Sequence, residues 1–272
     1  MHLASQDIDD LELLTEAARA AGALALAHFR GAPRQWTKPD STSVTEADIA
    51  VDAFLRERLM AARPAYGWLS EEHPDDGSRL RPGRRFIVDP IDGTRAFIDR
   101  GDEWVVSIAV AEGPAAVVGV LYNPVRDELW SARTGGGAYR NGVPLAVSHP
   151  AEAARARVVA SRKALRQTGL SAPGFTPVQV FMKSLANRFA NVAAGTVDGA
   201  LATSGSADWD IAAALVLIEE AGGRVTDASG APVRLNAGTL RHPPLVAAGE
   251  PLHASIVSAV GLSPARLQGK PQ

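Results

Sequence analysis

Apolar residues recur at helical spacing from Ile8 to Phe29, at Ile8, Leu11, Leu14, Ala18, Ala21 and the Leu24-Ala25 pair. That period predicts a long amphipathic helix. Gly31, Pro33 and Pro39 break it, and Lys38 to Ser43 is a polar loop. The period returns from Thr45 to Ala62, with Ile49, Ala53, Leu55 and Leu59 expected to face inward. Phe86 to Val88 is a short apolar run that reads as a buried strand, and Trp104–Ala111, Ala115–Tyr122 and Glu128–Ala132 read as three more. Asn123-Pro124 marks a turn between the last two, and Asn141-Gly142 inside Tyr139–Val143 is a strong tight-hairpin signal. The first half therefore reads as a helix pair over an antiparallel sheet.

The second half changes character. Pro150 to Arg157 is a seam, which divides the chain into an N-terminal α+β lobe, 1–150, and a C-terminal α/β lobe, 151–265, within one integrated catalytic unit. Val158–Ala160 reads as a strand, Ser184–Ala194 as a helix and Val197–Ala202 as a strand. A small polar loop, Thr203 to Ala207, leads into an apolar helix from Asp208 through Ala221, which Gly222-Gly223 stops. Val225 and Leu245–Ala248 read as final strands and Pro251–Val260 as a closing helix, with a frayed tail from Ser263. No internal repeat is visible.

Composition narrows the class. The chain has 272 residues, 46% hydrophobic and 21% charged, ordinary for a soluble globular enzyme. A net charge of −2 gives no footprint for nucleic acid or an anionic membrane. The absence of cysteine excludes disulfides, thiolate metal sites and cysteine nucleophiles. Met1 to Asp10 is polar and acidic, unlike a secretory signal. The most apolar early run, Ala17 to Phe29, is interrupted by Arg19 and His28 and is too short to span a bilayer. A cytoplasmic location is expected.

The candidate chemistry centres on Arg84 to Thr94. The apolar strand ends in Asp89-Pro90-Ile91-Asp92-Gly93-Thr94. Pro90 lacks an amide donor and should stop the strand. Gly93 permits close backbone approach, and Thr94 suits a helix N-cap before Arg95 to Ile98. Two carboxylates beside helix amides able to face an anion call for a cation between them. Glu71, Asp89, Asp92 and Asp210 all sit at ends of predicted elements. Converging, they would form an all-oxygen site for hard ions such as Mg2+. The histidines are scattered and no His-Glu-x-x-His occurs, so zinc is disfavoured. Asp48, three residues after Thr45, also reads as the acidic partner of a capping box. A phosphatase using an aspartyl nucleophile from an Asp-x-Asp strand is disfavoured as well. The spacing here is Asp-x-x-Asp across a proline, so the two acids do not share a strand face.

The Asp89-to-Thr94 motif, with Glu71-Glu72 upstream and Trp209-Asp210 followed by Glu220-Ala221-Gly222-Gly223 downstream, resembles the inositol monophosphatase superfamily from the first helix to about Leu262. The resemblance implies a layered αβαβα sandwich of the inositol monophosphatase / fructose-1,6-bisphosphatase type, usually a homodimer. It implies a lithium-sensitive phosphatase using two to three Mg2+ ions. Glu71, Asp89 and the Ile91 carbonyl would hold the first, Asp89, Asp92 and Asp210 the second, and Glu71 with waters a weaker third. Thr94 and Asp48 would orient and deprotonate the attacking water. The Gly93 and Thr94 amides would hold the phosphate, with Glu71, Asp92 and Asp210 also facing the substrate.

The substrate would be a small phosphorylated metabolite. Family members acting on inositol phosphate carry a glutamate seven residues before the Trp-Asp aspartate, and Thr203 stands there in this chain. Ser161-Arg162-Lys163-Ala164 and Ser184-Leu185-Ala186-Asn187-Arg188 are partly similar to motifs of the 3′(2′),5′-bisphosphate nucleotidases. The expectation is therefore a bisphosphate nucleotidase, with Arg162, Ser184 and Arg188 among the substrate contacts and an arginine on the uncleaved phosphate. Inositol-1-monophosphatase and then histidinol phosphatase are the alternatives. A non-catalytic metal-binding protein on the same fold is the reading from another class, and the full set of acidic residues argues against it.

Overall fold

Two helices cover one face of a seven-stranded sheet. In the computed structural model, α1 (His2–Arg30) and α2 (Glu46–Ala62) lie together, joined by a small antiparallel hairpin of β1 (Gln35–Thr37) and β2 (Ser43–Thr45). The structure describes residues 2–31, 33–39, 42–80, 82–161, 164–165, 176–178 and 182–261. The sheet contains β3 (Gly67–Ser70), β4 (Arg84–Asp92), β5 (Val105–Glu112), β6 (Ala115–Asn123), β7 (Glu128–Arg133), β8 (Gly137–Arg140) and β9 (Val143–Pro144), side by side in chain order. Every pairing is antiparallel except β3 with β4, which is parallel. Asn141 and Gly142 both take positive φ between β8 and β9, as a tight hairpin requires.

A short α3 (Thr94–Ile98) follows β4. The second sheet has the order β11 (Thr176–Val178), β10 (Arg157–Val159), β12 (Gly199–Ala202), β14 (Leu245–Gly249) and β13 (Gly223–Asp227). β10 runs parallel to both of its neighbours, while β14 is antiparallel to β12 and β13. Between the sheets lie α4 (Leu185–Ala193) and α5 (Asp208–Glu220), and α6 (Leu252–Gly261) covers the far face of the second sheet.

Side-chain alternation builds the layers. On β5, Val106, Ile108 and Val110 point to α1 and α2, whereas Val105, Ala109 and Ala111 point to the middle helices. On β14, Leu245 and Ala247 face the middle layer while Val246 and Ala248 face α6. An α5 that is apolar on all sides, buried from Ile211 to Ile218, fits a helix with a sheet on each flank. The result is the αβαβα sandwich. Among the described residues, no helix is long and apolar enough to cross a membrane.

Three details depart from the sequence reading. β4 does not stop at Pro90. It continues to Asp92 because a bulge between Asp89 and Asp92 takes up the proline, which cannot donate to a regular ladder. Thr94 is not the cap of α3 but its first residue, and Gly93 at φ 98° is the cap. The inward faces of α1 and α2 are rotated from the apolar stripes. Ile8, Ile49 and Ala53 are exposed, while Asp7, Asp10, Asp48 and Asp52 are buried. Those aspartates have partners that a hydrophobic period cannot register. Arg84 lies 2.7 Å from Asp7 and 3.0 Å from Asp10, and Ser70 donates to Asp52.

Candidate active site

The site forms where β3 and β4 end and α2, α4 and α5 begin. Because β3 is parallel to β4, the residue after β3 reaches the same end of the sheet as Asp89, and the Glu71 amide donates to Val88 O at 3.2 Å. At the bulge, Asp89 Oδ1 accepts from the Ile91 amide at 3.0 Å. Asp210 lies in the first turn of α5 and accepts from the Ala207 amide at 2.6 Å. Carboxylate oxygens of Glu71, Asp89 and Asp210 come within 4.8 Å of one another.

Asp92 is held by the start of α4. It accepts from Ser184 Oγ, from the Ala186 amide at 2.6 Å and from the Leu185 amide at 3.4 Å. The turn after Asp92 favours glycine. A Cβ on Gly93 would lie 3.0 Å from Ser184 Cβ, and its φ already disfavours other residues. Asp48 opens α2. Its Oδ2 accepts from the Thr45 amide at 2.8 Å and hydroxyl at 2.6 Å, completing the capping box. Its Oδ1 accepts from the Thr94 hydroxyl at 3.1 Å, and that hydroxyl also lies 3.1 Å from the Ile91 carbonyl. The cap thus leaves Asp48 one oxygen for Thr94.

Burial and mutual repulsion set the electrostatics. Asp89 is raised well above the carboxylate range by burial first and then by Glu71, Asp92 and Asp210. Burial raises Asp210 to about 8, with Asp92 adding to it. Burial also raises Asp92 and Asp48 to about 6 each, restrained by the donors just described. Lys38, on the loop of the β1–β2 hairpin, reaches Glu71 at 3.1 Å and Glu72 at 2.6 Å. Burial opposes its charge, but the two glutamates outweigh that and its pKa is raised. Glu72 is pushed up to about 7, by burial above all. Packed carboxylates that resist ionisation, all oxygen donors, fit a hard divalent cation.

A cleft of ≈ 650 Å³ opens above these acids, lined among others by Thr94, Thr203, Trp209, Asp210 and Arg241. Of the residues expected at the site, Asp48, Glu71, Asp89, Ile91, Asp92, Gly93, Thr94 and Asp210 come together. Ser184 is fully buried, with its hydroxyl on Asp92 rather than in the cleft. Arg188 lines the cleft but donates to the carbonyls of Leu201 at 3.1 Å and Met182 at 2.7 Å. Arg162 lies outside the described residues.

Two features were absent from the sequence reading. Lys38 stood in a polar loop with nothing to mark its target. The other is the seam that fixes the 203–207 loop. Gly205 N donates to His242 O at 2.9 Å and His242 N to Ser206 O at 2.8 Å. Buried His242 Nε2 lies 2.7 Å from buried Asp208 Oδ1, whose Oδ2 accepts from the Asn236 amide at 2.6 Å. The only sequence signal was an acid, Asp208, directly before Trp209-Asp210.

Comparison with known proteins agrees with this fold. The family model described as "Inositol monophosphatase family" matches residues 9–261. A histidinol-phosphatase of Chlorobaculum parvum is 34% identical over 269 residues, covering 93% of this chain and 96% of the relative. An inositol-1-monophosphatase of Rhizobium meliloti is 35% identical, covering 72% and 76% respectively. The solved structure of the Thermotoga maritima IMPase superposes with a TM-score of 0.83 at 25% identity, covering 96% of this chain and 100% of that one. The chain belongs to the inositol monophosphatase family and is a phosphoric monoester hydrolase.

Proposed function

We propose that the protein is a Mg2+-dependent phosphomonoesterase that releases phosphate from a small phosphorylated alcohol by attack of water. The convergence of Glu71, Asp89 and Asp210 beside the Asp48–Thr94 pair carries this reading. Glu71, Asp89 and the Ile91 carbonyl would hold one ion, Asp89, Asp92 and Asp210 a second, and Glu71 a third. Bound there, the ions would supply a nucleophilic water and stabilise the charge on the leaving oxygen. The chain's own contribution is orientation and proton handling. Thr45 fixes one oxygen of Asp48, and the other accepts from the Thr94 hydroxyl, which faces the cleft. A carboxylate raised to about 6 is a competent base near neutrality. The Gly93 and Thr94 amides are the donors assigned to the phosphate.

The names of the relatives support inositol 1-phosphate or histidinol phosphate over the bisphosphate nucleotide expected from the arginine motifs. Arg188 weakens that expectation further, since its guanidinium already serves two carbonyls. The test is hydrolysis of D-myo-inositol 1-phosphate, L-histidinol phosphate and adenosine 3′,5′-bisphosphate after chelation and after restoring Mg2+. Activity should vanish in chelator and return with Mg2+. Full activity in chelator would remove the metal assignment.

A further inference from the structure

One wall of the cleft is a run of small residues, Thr203, Ser204, Gly205 and Ser206, just before Trp209 and Asp210. A phosphate held at the acids turns its alcohol toward such a wall. By composition the run should be loose. Gly205 takes φ 100°, and glycine loses more freedom on ordering than any other residue. The Ser206 hydroxyl is buried without a hydrogen-bond partner, so that side chain does nothing to fasten the loop.

The fastening comes from behind. His242 applies three groups to the segment 205–208. Its carbonyl accepts from the Gly205 amide at 2.9 Å, its amide donates to Ser206 O at 2.8 Å, and its Nε2 lies 2.7 Å from Asp208 Oδ1. A carboxylate only accepts, so Nε2 carries the hydrogen. Asp208 is fully buried in the first turn of α5, so the imidazole ties the backing of the loop to the helix. The other Asp208 oxygen accepts from the Asn236 amide at 2.6 Å. Asn236, left-handed at φ 54°, is itself bonded twice to Arg79. Its Oδ1 accepts from Arg79 Nη1 at 2.7 Å, and its Nδ2 donates to the Arg79 carbonyl at 3.2 Å. The buttress thus runs from the loop to the connection between β3 and β4. None of its side chains, those of His242, Asp208, Asn236 and Arg79, lines the cleft.

We propose that His242 is a positioning residue for the alcohol half of the substrate. Bonded to Asp208, it holds the 203–206 loop as a preformed wall, and the alcohol binds without first ordering that loop. This rests on the phosphomonoesterase reading and deepens it with a residue behind the site. Ordering a short loop and its side chains during binding weakens affinity by roughly tenfold. The loss belongs to the alcohol, because the phosphate and the ions sit on other residues.

The experiment measures KM and kcat at saturating Mg2+ for D-myo-inositol 1-phosphate and L-histidinol phosphate. Beside them it measures the inhibition constant of inorganic phosphate, which fills the floor and leaves the wall empty, and the Mg2+ concentration for half-maximal rate, which reports on the acids. The enzymes are the wild type, His242→Ala, His242→Gln and Asp208→Asn. His242→Ala should raise KM for the ester that the wild type prefers by about tenfold and leave kcat within about twofold. The phosphate inhibition constant and the Mg2+ requirement should not move. His242→Gln, whose amide nitrogen can replace Nε2, should restore most of the KM. Asp208→Asn weakens the same bond at constant volume and should raise KM in the same way, so the test stands even if the alanine variant does not fold. An unchanged KM in these two variants would overturn the inference. So would a phosphate constant and Mg2+ requirement that rise in step with KM, which would make the buttress a support of the whole site. No hydrolysis by the wild type of either ester or of p-nitrophenyl phosphate with Mg2+ would overturn the phosphomonoesterase reading as well.

Discussion

Asp92 and Asp210 carry the same charge into the same cleft but are held differently. Asp92 has three donors from the start of α4, and burial leaves it at about 6. Among the described residues Asp210 has the Ala207 amide as its one hydrogen-bond donor, and burial takes it to about 8. Both are assigned to the same ion, so Asp92→Asn and Asp210→Asn should each lower turnover by several orders of magnitude. Near-normal turnover in both would refute the assignment. Their stabilities should differ from the wild type in the opposite sense. A carboxyl raised to about 8 when folded, against about 3.9 unfolded, binds more proton in the folded chain between those values. Stability of the chelated protein should therefore fall as pH rises through that window. Melting curves in chelator should show a higher midpoint at pH ~5.5 than at pH ~8, Mg2+ should flatten the difference, and Asp210→Asn should raise the pH ~8 midpoint. A chelated wild type that melts higher at the alkaline end would contradict this.

At the scale of elements, α4 matters to the chemistry through its first turn. Ser184 caps it by accepting from the Asn187 amide at 3.0 Å and also donates to Asp92. Ser184→Ala should cost about 1 kcal/mol as a lost cap and lower Mg2+ affinity by about ten- to a hundredfold, as loss of a partner to a metal ligand does. A Mg2+ titration of activity checks this, and a change confined to the KM for the phosphate ester would return Ser184 to the substrate contacts. The sequence disclosed the elements themselves, because apolar periods and turn residues are local. It also disclosed the acids at element ends, because Asp89 to Thr94 and Trp209-Asp210 are continuous motifs. What it withheld depends on contact across layers. Pro90 lies in a strand because a bulge accommodates it. Asp7, Asp10 and Asp52 face inward because Arg84 and Ser70 meet them there. Lys38 gains its glutamates only when the hairpin folds back.

For the whole molecule, the middle layer is a close-packed joint. β6 runs so close to α5 that a Cβ on Gly119 would lie 2.5 Å from the Ala213 carbonyl. Gly119→Ala should therefore cost about 1–3 kcal/mol by forcing the layers apart. Denaturant unfolding measures that loss, and an unchanged midpoint would mean that the layers yield freely. The same joint sets where the acids come from. Glu71 and Asp89 belong to the seven-stranded layer, Asp210 to a helix between the sheets, and Asp92 is gripped by the other middle helix. These segments are far apart along the chain. During synthesis, Asp210 follows long after Asp89 has left the ribosome, and Asp92 has no helix to hold it until α4 has emerged. If these acids hold the ions as proposed, a partly made chain can neither sequester the cell's divalent ions nor hydrolyse its phosphate esters. Catalytic competence arrives last, as a certificate that the layers have closed.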